Sequence, residues 1–139
     1  MKRWIALAAA LVLGVCALYP DAGFTEDRDT VALARAIYAL GRQEGYEAKL
    51  ALATVVMNRV ENPWFASTLS GVLSEQHQFP SGSRYDDASL AAAHAVLAGQ
   101  RALPKEAVYY QSLSATRPRQ DAPLRTVGGY AFYDTQARA

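Results

Sequence analysis

Glu44, Glu47 and Glu75 lie beside or within apolar stretches, and His77 and His94 are the only two histidines. These five are the first residues to weigh for acid–base chemistry, since each can hold or release a proton. Glu47 falls where an acid favours the start of a helix, so a structural role answers for it. His94 lies in an Ala-rich helical stretch and reads as structural. Glu75 is a second acid candidate, with a solvated loop carboxylate as the alternative. A zinc amidase needs about three protein ligands and a base. Two histidines and the single Cys16 do not supply them, and no cofactor is implied. Arg117, Arg119 and Arg125 share one stretch with only Asp121 against them. They can meet carboxylates or anionic polymers, or simply face solvent.

Several elements must position these groups. Val31, Leu33, Ala34, Ile37, Tyr38 and Leu40 recur at helical spacing after Asp29-Thr30, which can cap. That helix should weaken near Gly41 and end by Gly45. A second helix is expected from about Glu47 to Val60, with Leu50, Ala53, Val56, Met57 and Val60 on its apolar face; Asn62-Pro63 stops it. Thr68 to Leu73 reads as one or two helical turns, and residues 76–85 as a loop. Asp86-Asp87 open an Ala-rich helix running to about Ala98, with Gly99 as its stop. Ala107 to Ser112 and Tyr130 to Tyr133 are strand candidates, with residues 113–126 as a Pro/Arg loop between them. The fold class is therefore α+β, mainly α, with about three main helices and a small hairpin-like β element.

The chain has 139 residues, room for one domain. It is 51% hydrophobic and 19% charged, which excludes a disordered or fibrous chain. A net charge of +1 argues against a nucleic-acid partner. Lys2-Arg3 followed by the uncharged run Trp4 to Leu18 has the build of an export signal over residues 1–17, with an uncleaved N-terminal anchor as the alternative. Small residues at Val15-Cys16-Ala17 offer a cleavage point. Residues 18–28 are a short lead-in, 29–134 the domain and 135–139 a tail. A monomer is expected, touching a membrane only through the N-terminal segment.

Specific strings go further than composition. Leu33-Ala34-Arg35-Ala36-Ile37-Tyr38-Ala39, then Arg42, Glu44 and Tyr46-Glu47, then Val55-Val56-Met57-Asn58-Arg59-Val60 follow one another. Phe65, Thr68 to Leu73, Glu75 and Gln78-Phe79 come next, then Ala107-Val108-Tyr109-Tyr110 and Val127-Gly128-Gly129-Tyr130-Ala131-Phe132-Tyr133. In this order the set resembles the SleB-type cell wall hydrolases, which include spore-cortex-lytic enzymes, over about residues 29–134. The resemblance implies a compact lysozyme-like fold and a peptidoglycan partner. It also implies lytic transglycosylase or muramidase-type chemistry, in which one glutamate protonates the bridging oxygen and the substrate's own 6-hydroxyl attacks the anomeric carbon.

One departure bears on activity. The family's Tyr-Ala-Glu-Ala-Arg-Gly-Glu stretch is here Tyr38-Ala39-Leu40-Gly41-Arg42-Gln43-Glu44. The first glutamate, the acid in relatives, is Leu40, and the family's His in the last strand is Tyr130. Glu44 is the catalytic candidate that remains. If the helix persists past Gly41, Glu44 lies one turn beyond Leu40 and about 40° around from it. The alternative is that Glu44 caps the second helix or pairs with Arg42 or Arg59. Gln78 can hydrogen-bond a sugar amide, and Phe79, Tyr109 and Tyr110 can offer flat faces to sugar rings. Strand alternation turns one of the two tyrosines to the core. A degenerate, non-catalytic peptidoglycan-binding relative is the alternative function, because position 40 has lost its carboxyl.

The scarcity of metal ligands carries a prediction. Activity on, or binding to, peptidoglycan is expected to persist in EDTA, measured by release of soluble muropeptides or by pull-down. Loss in EDTA with recovery on adding zinc would contradict it.

Overall fold

The computed structural model describes residues 27–136. The export signal expected over residues 1–17 lies outside the described residues, as does most of the 18–28 lead-in. Among the described residues, no helix is long and apolar enough to cross a membrane.

Among the described residues, four helices precede a small sheet. α1 spans Arg28–Leu40, α2 Tyr46–Val60, α3 Leu69–Leu73 and α4 Asp87–Leu97. β1 spans Tyr109–Ser112, β2 Arg125–Val127 and β3 Tyr130–Tyr133. Three helices start on side-chain caps: Asp27, Thr68 and Asp86 each accept a backbone N–H three residues on. The cap of α1 is thus Asp27 rather than Asp29 or Thr30; its carboxylate also takes the Thr30 hydroxyl at 2.8 Å.

α2 is the centre of the molecule. From Ala48 to Arg59 every residue except Met57 is buried, so it has two working faces where the apolar spacing suggested one. Leu50, Ala53 and Val56 pack with Leu33, Ile37, Val72, Ala92 and Val96 from the other helices. Ala51, Leu52 and Val55 pack against Leu103, Ala107, Tyr130 and Phe132 on the sheet side. Its buried polar residues all find partners. Thr54 accepts the Ala102 N–H at 3.1 Å, and Asn58 donates to the carbonyls of Pro104 (2.8 Å) and Ala107 (3.0 Å). Arg59 Nε donates to the Val108 carbonyl at 2.6 Å. Residues 102–108 are thereby pinned to the helix, and that pinning delivers β1 to its place.

The sheet has three antiparallel strands in the order β1-β3-β2. β2 falls inside the stretch read as loop. It is a three-residue edge strand with both Arg125 and Thr126 exposed, so it lacks the alternation that marks a half-buried strand. Val127 pairs with Tyr130, which leaves Gly128-Gly129 as a two-residue hairpin turn. Gly128 has φ +56°, a left-handed conformation that favours glycine.

A second buried cation ties α2 to α4. Lys49 Nζ lies 2.7 Å from Asp86 Oδ2; Lys49 is 2% exposed and Asp86 40%. Partial burial pushes the Asp86 carboxyl up, but hydrogen bonds from Lys49 and Ser89 and the Lys49 charge outweigh it and bring the pKa to about 2. Since the folded pKa is below the unfolded value of about 3.9, this contribution is present above the unfolded pKa and is lost as pH falls towards about 2. Asp86→Asn keeps the helix cap and removes the charge. It is expected to lower stability at pH 7 by an amount between the roughly 1 kcal/mol of an exposed pair and the roughly 3–5 kcal/mol of a buried one. It should also flatten the fall in stability below about pH 4. Urea unfolding from pH 7 to pH 2 measures both.

Candidate functional site

α1 stops at Leu40. Gly41 is its C-cap, donating its N–H to the Ile37 carbonyl at 2.8 Å. The helix therefore does not carry Glu44 one turn beyond Leu40, as its continuation would have required. Residues 41–43 form a turn closed by the Glu44 N–H on the Gly41 carbonyl at 2.9 Å. A bare β-carbon at position 41 would lie 3.0 Å from Leu52, which explains glycine at this close approach to α2.

The turn aims Glu44 at the β2–β3 hairpin. Its Oε2 accepts the Gly129 N–H at 3.1 Å. A β-carbon on Gly128 would come within 2.5 Å of Oε2, and one on Gly129 within 2.3 Å of Oε1. The two glycines form a cradle that a carboxylate fills and a side chain would close. Among the described residues three carboxylates are half-buried: Glu44, Glu75 and Asp86. Glu75 is paired with Arg59 and Asp86 with Lys49, whereas Glu44 has no ion pair among the described residues. Glu44 takes up neither structural alternative. α2 has Gly45 as N-cap with no side-chain cap, Arg59 is engaged elsewhere, and the Arg42 guanidinium sits over the Tyr38 ring at 5.5 Å.

Leu40 is half-buried and packs against both apolar clusters. Its carbonyl accepts the Tyr130 hydroxyl at 2.6 Å. Burial pushes the Tyr130 hydroxyl above its usual pKa, and the negative charge of Glu44 adds to the rise. Tyr130 is therefore the electrostatic neighbour of Glu44 and a fixed donor to the end of α1.

From Tyr130 a line of rings leads to the other candidate residues. Tyr130 and Tyr110 centroids are 6.0 Å apart, and Tyr110 and Phe79 5.7 Å. The Tyr110 hydroxyl donates to the Gln78 carbonyl in a short hydrogen bond. Burial, opposed by the Arg59 charge, pushes Tyr110 up to about 12. Arg59, 1% exposed, donates to Glu75 at 2.8 Å and to the Gln78 side-chain oxygen at 3.1 Å. Its guanidinium also lies 4.8–5.3 Å from the ring centres of Phe65, Phe79 and Tyr109. The fold thus gathers Glu44, Gln78, Phe79, Tyr109 and Tyr110 into one continuous strip.

Their roles within it differ from the expectation. Phe79 is 8% exposed, with its ring against Arg59 and Tyr110. It is a wall of the core and offers no flat face to a sugar. Tyr110 turns inward, as strand alternation requires. Tyr109 turns the other way, yet is half-buried against Phe65 at 5.8 Å. Gln78 has its side-chain oxygen committed to Arg59. Glu75 is the counter-ion of Arg59 rather than an acid with a proton to give. Glu47 is exposed in the first turn of α2, and His77 is an exposed residue with φ 59°. Residue types and spacing do not point to two further contributors: the Gly128-Gly129 cradle and the Tyr130 hydroxyl. A paired glycine before an aromatic strand is the available signal, and it reads equally well as an ordinary turn.

The profile of the Cell Wall Hydrolase family matches residues 43–133. The chain belongs to this family. It is similar to the spore cortex-lytic enzyme of Bacillus subtilis, 34% identical over 93 residues that cover 63% of this chain and 30% of that enzyme. It is also similar to the spore cortex-lytic enzyme of Halalkalibacterium halodurans, 38% identical over 58 residues, 42% of this chain and 17% of that one. The matches therefore span less than a third of these relatives. Two solved structures share the fold. One is the catalytic domain of the Bacillus cereus SleB protein, with a TM-score of 0.68 and 24% identity over 76% of this chain and 88% of that one. The other is the catalytic domain of the germination-specific lytic transglycosylase SleB from Bacillus anthracis, with a TM-score of 0.67 and 26% identity over 80% and 97%. This family member is SleB-type and lysozyme-like, mainly α with a small sheet.

The cradle gives a direct test of the Glu44 geometry. In Gly129→Ala the new methyl meets the end of a flexible side chain, so the carboxylate swings away at little cost to the fold. The expected result is a melting temperature within a few degrees of the native protein, consistent with a change of about 1 kcal/mol or less. Any Glu44-dependent activity should fall at least about tenfold, as a misplaced proton donor requires. A muropeptide-release assay beside a thermal melt reads both.

Proposed function

We propose that the chain acts on the glycan strands of peptidoglycan, with Glu44 as the general acid. The observation that carries this reading is the state of Glu44: a half-buried carboxylate without an ion pair among the described residues, held by one backbone N–H in a cradle of two glycines. Oε2 is held by Gly129, which leaves Oε1 as the oxygen to carry a proton. That proton passes to the oxygen bridging two sugars as its bond to the anomeric carbon breaks. The 6-hydroxyl of the same sugar closes on the anomeric carbon and returns its proton to Glu44. A single carboxyl suffices because the nucleophile belongs to the substrate, unlike the paired carboxylates of ordinary glycosidases. If water attacks instead, the same acid serves a muramidase. Export through the Lys2-Arg3 segment and its apolar run fits a substrate outside the membrane.

Leu40 favours a second reading. It places a hydrocarbon where relatives carry the acid, and it is packed between the two apolar clusters. A protein with this substitution can bind glycan without cutting it.

Mass analysis of purified peptidoglycan after incubation separates the two. Under the first reading the native protein releases anhydro-muropeptides, or reducing-end muramic acid if water attacks, and Glu44→Gln lowers the rate at least about 10²-fold. Under the second, the native protein binds without cleaving and Glu44→Gln changes nothing. Leu40→Glu then restores a carboxyl in partly apolar surroundings that keep it protonated, and turnover rises at least about tenfold. Free stem peptides as the product would overturn both.

A further inference from the structure

The sheet has a second face, opposite to Tyr110 and Phe132, and it carries a cavity. Gln111 and Tyr133 belong to this face by strand alternation. The stretch from residue 113 to 124 crosses it and is fastened by one side chain. Gln111 Nε2 donates to the Arg117 carbonyl at 3.1 Å, and Gln111 Oε1 accepts the Arg119 N–H at 2.9 Å. Arg119 is then locked in turn. Its Nε donates to Asp121 at 2.8 Å, a second short contact joins the same carboxylate, and Nη1 donates to the Thr135 carbonyl at 2.6 Å. The guanidinium stacks on Tyr133 at 3.7 Å, and its side chain is 6% exposed. Arg119 is a floor whose charge Asp121 answers.

The cavity above this floor has a volume of about 610 Å³, in the range of small-ligand sites. Arg117, Gln120, Thr135 and Gln136 line it with Gln111 and Arg119. Arg117 differs from Arg119 in having no side-chain hydrogen bond or ion pair among the described residues, while its backbone is held by Gln111. Asp121 also lines it, with its charge answered by Arg119, so the lining presents one uncommitted guanidinium, the side-chain amides of Gln120 and Gln136 and the Thr135 hydroxyl. A guanidinium takes a carboxylate through two parallel hydrogen bonds, and side-chain amides pair with peptide groups. Gln111 is two residues before Leu113, whose N–H donates to the Gly129 carbonyl at 2.8 Å, beside the Glu44 cradle. The cavity thus begins only about 7 Å along β1 from that end of the strand. Neither Glu44 nor the two glycines line it.

We propose that this cavity is a second binding site and that it takes a short peptide bearing carboxylates, the side branch of a glycan lying at Glu44. The peptide's carboxylate engages Arg117 and its amides meet Gln120 and Gln136. The assignment of the peptide as a branch of the substrate rests on the function proposed above.

Calorimetric titration of the full chain with the sugar-free tetrapeptide L-Ala-γ-D-Glu-L-Lys-D-Ala tests it. The native protein should bind the tetrapeptide. Affinity should fall at least about tenfold in Arg117→Gln, and equally when the peptide's carboxylates are amidated, as loss of a charge-assisted pair requires. Glu44→Gln should bind it unchanged. Arg117 is exposed, and an unaltered thermal melt of Arg117→Gln confirms that the fold is intact. No binding to the native protein, equal binding to Arg117→Gln, or displacement of the peptide by inorganic phosphate at lower concentration than by acetate would each overturn the proposal. Cleavage of peptide-free glycan is the separate readout. Its loss in Glu44→Gln but not in Arg117→Gln keeps the two proposals independent, and each can fail while the other stands.

Discussion

A guanidinium that is 1% exposed must have its hydrogen bonds and its charge answered inside the protein, and Arg59 recruits three stretches of chain to do so. Glu75 supplies the charge, Gln78 and the Val108 carbonyl supply acceptors, and Phe65, Phe79 and Tyr109 close the space with ring faces. Burial pulls its pKa down and the Glu75 charge pushes back; an arginine stays cationic through such a contest. Each partner is thus held by a group that cannot neutralise itself. The segment after α3 and the entry to β1 are set from α2, and Arg59 is the side chain that reaches both.

Beyond Arg59, each group is placed by the one before it. With Val108 fixed, Tyr109 and Tyr110 are fixed. Tyr110 meets Phe79 on one side and Tyr130 on the other, so β3 is located by the same rings that wall the core. Tyr130 then bonds the last carbonyl of α1, and the turn just before it meets Glu44. The residues nearest the proposed chemistry are few, and most of the strip exists to hold them. The family's Asn58-Arg59 pair illustrates this. Its side chains touch loop carbonyls and aromatic rings, so it supplies position.

The helices were legible because their spacing, caps and stops are local properties, and α4 follows its sequence signals to within one residue at each end. The overall class was legible for the same reason, together with the ordered strings that mark the family. β2 was not. Three mostly exposed residues after a proline leave no periodic trace, and only the pairing of Val127 with Tyr130 defines them. The burial of α2 on two faces was hidden because it depends on Lys49 and Arg59 finding counter-ions 37 and 16 residues away in the chain. Glu44 is singled out in the sequence for an incomplete reason. Its value as a candidate does not come from α1, which ends at Leu40 and never passes Gly41. It comes from a hairpin 85 residues later in the chain, a relation no local pattern contains. Phe79 was misassigned because an aromatic beside a polar residue looks the same in a sequence whether it lines a cleft or a core.

That separation of 85 residues, and the 90 between Tyr130 and Leu40, also sets an order of assembly. The four described helices, and most of the apolar cluster between them, lie before residue 98. A chain emerging from a ribosome or a translocation channel can collapse around α2 long before Gly128 to Tyr130 arrive. Until they do, the Glu44 carboxylate lacks the Gly129 N–H and the Leu40 carbonyl lacks the Tyr130 hydroxyl. β3 and the hairpin before it therefore complete the surroundings of Glu44 after the helices have formed. If Glu44 is the acid proposed above, its carboxylate is held in place only once residues 128–130 have been made and folded against it.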